Sequence, residues 1–243
     1  MSSQPLVFDR TAEGLVLLDH HFESFYSVQP YADATKHPVP MDTRGWSQIL
    51  VSVLTGILGV ERKKGADLAD GSDVKGANTW EAIDTPRFNG VVKAGTKAQS
   101  SGSIQSLRSM PFLFFVLWDT TVRETHRCRV WVVRTQHDEE FISMCKSWYD
   151  KAMDGTIRSN NFQLHPPRMK DLDEIRNKCG NLIYPLYFAA ERPSSGGGYA
   201  VTCFDPSVLV EGRCRRSGSE PGSAGGLVDL GIAGDLVAQD SEE

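Results

Sequence analysis

Glu61–Lys75 reads ERKKGADLADGSDVK, fifteen residues that hold four carboxylates and three lysines. The stretch ends in Asp73-Val74-Lys75, an acid and a lysine two positions apart. Side chains at i and i+2 share one face of a strand, so on a strand these two groups stand side by side. Glu61, Asp67 and Asp70 lie just upstream and add oxygen donors of the kind a hard divalent cation takes. The competing reading is a solvated charged turn, which is what most charge runs are. The flanking sequence has to decide between the two.

Upstream stands the clearest helical pattern in the chain. Trp46, Ile49, Leu50, Val53, Leu54, Ile57 and Leu58 recur at helical spacing, with Asp42 or Thr43 to cap the start and Gly59 to end it. Glu61 then emerges at the helix C-terminus, where the dipole disfavours an acid unless a cation is near. Before this helix, Leu15, Leu18, Phe22 and Phe25 predict another over residues 11–28, starting near Thr11. Its His20 and His21 project about 100° apart and do not share a ligand. Residues 29–41 contain three prolines and are expected to be a loop.

Downstream, the acidic stretch is expected to turn at Asp70-Gly71-Ser72 and to enter a strand at Asp73, whose small residues Gly76 and Ala77 admit a close neighbour. Residues 80–109 are less regular, with a turn-like TPRFNG segment. Phe112–Trp118 (FLFFVLW) is an almost unbroken apolar run, the pattern of a strand buried on both faces. Arg127–Arg134 (RCRVWVVR) predicts its hairpin partner. Asp138–Met153 is an amphipathic helix with Phe141, Met144, Cys145 and Trp148 on one side. FQLHPPR at 162–168 is extended, 171–178 a short helix, and 182–190 and 199–204 two late strands, the first demoted towards a sheet edge by Pro185. The order of elements predicts an α/β (α+β) domain with a central mixed β-sheet flanked by helices.

Composition narrows the partners. The net charge of −5 arises entirely from residue 193 onward, where eight acids face three bases; residues 1–192 are neutral, and 61–134 carry twelve bases to eight acids. An acidic whole therefore leaves room for a positive face. No apolar run is long enough to span a membrane, the first residues carry no secretory pattern, and the five cysteines show no pairing or zinc spacing, so a cytoplasmic protein with reduced thiols is expected. Residues 206–243, rich in Gly, Ser and acids, are expected to be a disordered tail behind a single domain at 1–205.

Phosphodiester hydrolysis needs an activated water and neutralised phosphate oxygens, which carboxylate-held magnesium and an adjacent lysine supply. GADLADGSDVK resembles the PD-(D/E)xK nuclease signature. Its wider context, Lys64 to Trp80 together with FLFFVLWD, RCRVWVVR, NFQLHPPR and RNKCGNL, resembles type II restriction endonucleases of the MamI type over about residues 45–192. The resemblance implies a restriction-endonuclease-like core at about 42–192. It makes Asp67 the first acid, Asp73 the second, Lys75 the lysine and Glu61 a helix-borne acid, with Asp67 and Asp73 holding Mg2+. It also implies double-stranded DNA as substrate, cut at a short recognition sequence, and a homodimer. Ala66 replaces the signature proline, and only five residues separate the two acids. That gap requires a tight hairpin, as in mismatch-repair nicking endonucleases of the same superfamily, and it leaves Asp70 as a rival first acid. A nicking repair nuclease and a non-catalytic DNA-binding relative are the alternative functions. Base-edge readers would be Arg87, Asn89, Arg168, Arg176 and Asn177, each of which could equally be a phosphate contact or an ordinary surface residue; Lys63, Lys64, Lys93 and Lys97 suit phosphates.

Overall fold

The apolar run at 112–118 is the centre of the molecule. A computed structural model describes residues 10–37, 39, 43–60, 65–79, 87–94, 104–119, 125–166, 174–176, 182–193 and 195–203. Among them, Leu113–Asp119 forms strand β3, every residue of which is buried. Its alternation explains why the run is continuous. Phe114, Val116 and Trp118 face one apolar cluster, and Leu113, Phe115 and Leu117 face another. Each such side chain stabilises the fold by roughly 1.5–3 kcal/mol on burial.

β3 pairs in parallel with β1 (Asp73–Asn78) and antiparallel with β4 (Thr125–Val133), the expected hairpin. β4 continues to β7 (Leu182–Pro193), whose other side carries β6 (Glu174–Arg176) and β8 (Ala200–Cys203), giving a mixed six-stranded sheet. Helices α1 (Thr11–Thr35) and α2 (Thr43–Thr55) supply the core on one face. On the other lie α3 (Ile104–Arg108), α4 (Glu139–Met153) and the two-stranded sheet of β2 (Phe88–Lys93) with β5 (Asn161–Leu164). The expected helix-flanked mixed sheet is what forms. No helix among the described residues is long and apolar enough to cross a membrane.

Four local expectations are corrected. α1 does not stop before the prolines but runs through Pro30 to Thr35. Proline forfeits one helical hydrogen bond, yet its fixed φ is compatible with the helix. The stop comes at Lys36, φ 58°, where His37 N–H reaches back to Ala32 O at 3.0 Å. α2 ends at Gly56, φ 71°, one glycine earlier than expected, which leaves Leu58 exposed. The helix expected at 171–178 is instead strand at 174–176. β7 is an interior strand despite Pro185, because its register with β4 and β6 shifts near the proline. In the TPRFNG segment, Phe88, Asn89 and Gly90 open strand β2. Cys128 and Cys145 are buried free thiols, and burial pushes both well above the usual thiol range.

Candidate active site

β1 is an edge strand of the sheet, and residues 65–72 lead into it. After α2 the chain doubles back on itself. Gly59 bridges Leu68, Val60 N–H donates to Asp67 O at 3.0 Å and Ala69 N–H to Leu58 O at 2.8 Å. The turn that follows is tight, with the Asp67 and Leu68 N–H groups both donating to Ser72 O. Asp70 makes this turn. Its carboxylate accepts from Ser72 N–H and Ser72 Oγ, both at 2.9 Å. Ser72 is tied onward to Phe112 N–H at the start of β3. The turn expected at 70–72 is therefore present, but Asp70 is occupied with building it.

Asp67, not Asp70, turns inward. Its Oδ2 accepts the Val74 N–H at 3.0 Å, so the carboxylate caps a backbone donor at the strand edge. Arg44 Nη2 reaches its Oδ1 at 3.2 Å, and Gln48 hydrogen-bonds the same carboxylate. Asp73 and Lys75 stand side by side as strand alternation requires, with Lys75 Nζ 2.5 Å from Asp73 Oδ2. Asp67 and Asp73 are both buried, and each carboxyl bears on the other's ionisation. Burial and the bond to Asp67 push the Asp73 carboxyl up to about 6, against the pull of Lys75. Burial also raises Asp67, but its bonds with Asp73, Val74 N–H, Gln48 and Arg44 outweigh this and hold it below the ordinary carboxylate range.

Two buried carboxylates that face each other are a fit for a cation, and their oxygen-only donors suit a hard one. Among the described residues no set of three or more His, Cys, Asp or Glu side chains converges on such an ion, so a cation here would draw on this pair and on water. Glu61 lies six residues beyond the end of α2 and outside the described residues, so it does not leave that helix directly.

What α2 presents to the acids is Arg44 and Gln48, four apart on one helical face, and sequence reasoning missed both. Gly76 is the reason α2 comes so close. A Cβ there would lie 2.5 Å from Ser47 Oγ and 2.7 Å from Thr43 O. Trp118 Nε1 donates to Ser47 Oγ at 2.9 Å, which in turn donates to Thr43 O at 2.5 Å, locking the first turn of α2 onto the sheet. The small residues of DVKGAN were legible as a close approach, but its occupant was not.

The candidate DNA readers scatter by comparison. Half-buried Arg87 precedes β2 and exposed Asn89 lies on it, beside β1. Arg176 ends β6, while Arg168 and Asn177 fall outside the described residues, as do Lys63, Lys64 and Lys97. Lys93 is exposed at the end of β2.

Comparison with known proteins places the chain. A family profile described as MamI restriction endonuclease matches residues 30–195. The type II restriction enzyme MamI of Microbacterium ammoniaphilum is 31% identical over 168 residues, covering 65% of this chain and 54% of the relative. The chain thus spans about half the length of that curated relative. No solved structure matches it. With the matched span enclosing α2, the Asp67–Lys75 site and nearly all of the sheet, the chain belongs to the MamI restriction endonuclease family.

Proposed function

We propose that this chain is a magnesium-dependent endonuclease that hydrolyses phosphodiester bonds of double-stranded DNA at a short recognition sequence. The observation that carries the reading is the convergence of Asp67, Asp73 and Lys75 at the edge of β1, in a chain of a restriction endonuclease family. Asp67 and Asp73 are the residues that hold Mg2+. When bound, the ion supplies positive charge to the phosphate oxygens and to the departing oxygen.

The chain's own groups do the rest. Lys75 Nζ lies beside Asp73, where it orients the attacking water and offsets the charge that builds on the phosphate oxygens. Val74 N–H fixes the Asp67 carboxylate from the strand edge and Gln48 fixes it from α2, so the ligands are arranged before substrate arrives. Glu61, from the segment before Asp67, is a further acid for this site. Arg87, Asn89, Arg168, Arg176 and Asn177 are the residues we assign to the DNA contact. Each chain contributes one such site, so cutting both strands of a symmetric sequence calls for a homodimer. The cytoplasm, where DNA is accessible, is its compartment. The domain at 1–205 carries this activity without the acidic residues 206–243.

Incubation with phage DNA and magnesium should yield discrete fragments whose sequenced ends define the site. Lys75→Ala should remove cleavage and keep DNA binding. Full cleavage by Lys75→Ala in magnesium would overturn the assignment.

A further inference from the structure

Among the described residues, Arg44 is a charged group at the site that neither the acid-x-lysine pattern nor the proposed chemistry uses. Its backbone is fixed. It sits next to Thr43, whose carbonyl is gripped by Ser47 and faces Gly76, so the first turn of α2 cannot slide on β1. Its side chain is not fixed in the same way, being 61% exposed. The guanidinium reaches Asp67 through Nη2 and takes Oδ1, the carboxylate oxygen that Val74 N–H leaves to it. Lys75 is different, since it is mostly buried and pairs with Asp73 along the same strand.

The Arg44–Asp67 pair is a cation resting on an oxygen that a metal ion would need. A divalent ion on Asp67 and Asp73 ends that attraction and replaces it with repulsion between like charges. A long, exposed arginine on a fixed backbone would then turn to another anion, which on the proposed function is a DNA phosphate. The guanidinium fork matches two phosphate oxygens better than it matches one carboxylate oxygen.

We propose that Arg44 has two positions: on Asp67 while the carboxylates hold no cation, and on a phosphate of the DNA backbone once a divalent ion has taken Asp67. The inference rests on the reading of Asp67 and Asp73 as cation ligands. Arg44 is thereby a positioning residue that makes DNA binding and cation binding favour each other.

The test uses Ca2+ as the probe ion and a random-sequence DNA duplex, with the full chain throughout. By calorimetry without DNA, Arg44→Ala should bind Ca2+ more tightly than the parent, by up to about fivefold, the worth of one exposed ion pair. In Ca2+, Arg44→Ala should weaken duplex binding and reduce the slope of log affinity against log salt by about 0.9, one phosphate contact. In EDTA the same variant should match the parent, because Arg44 is then held by Asp67. Arg44→Lys should keep most of the salt slope. Unchanged Ca2+ affinity, or an equal loss of duplex binding in EDTA and in Ca2+, overturns the proposal, since a plain surface cation would behave that way. Asp67→Ala separates the two levels. If it binds Ca2+ as the parent does, the cation-site reading itself fails; if it loses Ca2+ while Arg44→Ala changes nothing, only the role of Arg44 fails.

Discussion

Two buried charge clusters lie at opposite ends of the β1–β3 pair, and they are built on opposite principles. At the far end, Asp119 accepts from Arg127 Nε at 2.8 Å, from Arg127 Nη2, from Arg129 Nη1 at 3.4 Å and from Thr79 Oγ1 at 3.0 Å. Glu191, 45% exposed, lies 3.7 Å from Arg127 and 3.8 Å from Arg129. Two guanidinium groups face two carboxylates, and the charges balance. At the near end the count is the same, with Arg44 on Asp67 and Lys75 on Asp73, but the two carboxylates press on each other and Arg44 is 61% exposed. Burial of charge is common to both ends. Only the near end sets its carboxylates against each other and leaves one of their cations mostly in solvent.

The largest expected effect breaks the balanced end. Asp119→Ala leaves Arg127 and Arg129 buried with, among the described residues, the half-exposed Glu191 as their remaining carboxylate. It should cost about 3–5 kcal/mol of stability in urea melts. Ca2+ affinity of the protein that remains folded should not change. A loss below about 1 kcal/mol would place this cluster with ordinary surface pairs and remove the contrast.

Asp73→Asn sharpens the comparison by acting in the opposite sense on stability and on activity. Cleavage should fall by about 10²–10³-fold, the size of one charge-stabilising group in a closed site. Stability should not fall. The folded-state value of about 6 lies above the ordinary 3.8, so the folded protein holds a proton that the unfolded chain has released between those values. The Asp73 contribution is therefore favourable at low pH and is lost as pH rises through about 6. Asp67, held low, runs the other way, and its stabilisation is lost as pH falls below the ordinary range. Urea melts in EDTA should thus find Asp73→Asn gaining on the parent at pH 8 relative to pH 5. The same proton must leave when a cation binds, so the parent's Ca2+ affinity should rise roughly tenfold per pH unit below about 6 and level off above it. A destabilisation as large as that of Asp119→Ala, equal at both pH values, would mean that the two ends are alike.

The two ends differed just as much in how far they could be read from sequence. Asp73 and Lys75 were legible because the i, i+2 rule is local, and the apolar run of β3 because burial on both faces leaves no polar position. The roles of Arg127 and Arg129 were not legible in the strand expected at 127–134, since nothing local says that Asp119, eight and ten residues away, neutralises them inside the sheet. Arg44 and Gln48 were invisible for a related reason. Their helix shows an apolar stripe, but which polar flank meets β1 is set by the contact of Ser47 and Thr43 with Gly76, some thirty residues apart in sequence. Pro30 misled because a helix can survive the loss of one hydrogen bond, and 171–178 because a short polar segment takes its conformation from the strand it meets, here β7.

The smallest effect concerns the choice that the sequence left open, between Asp67 and Asp70 as first acid. Asp70 is exposed, and both of its carboxylate oxygens accept from Ser72, so it shapes the turn that carries Asp67 but does not reach Asp73 through the bonds that define the site. Asp70→Ala removes two turn hydrogen bonds and should cost about 0.5–1.5 kcal/mol, with the Ser72 backbone donor left to water. Cleavage should stay within about threefold of the parent, because Asp67 is still held by the Val74 N–H and by the Gly59–Leu68 ribbon. Asp67→Ala, measured beside it, should be inactive. The reverse pattern, Asp70→Ala inactive and Asp67→Ala competent, would move the cation site outward onto the turn. It would also turn the buried pair at the edge of β1 into a second structural cluster like the one around Asp119.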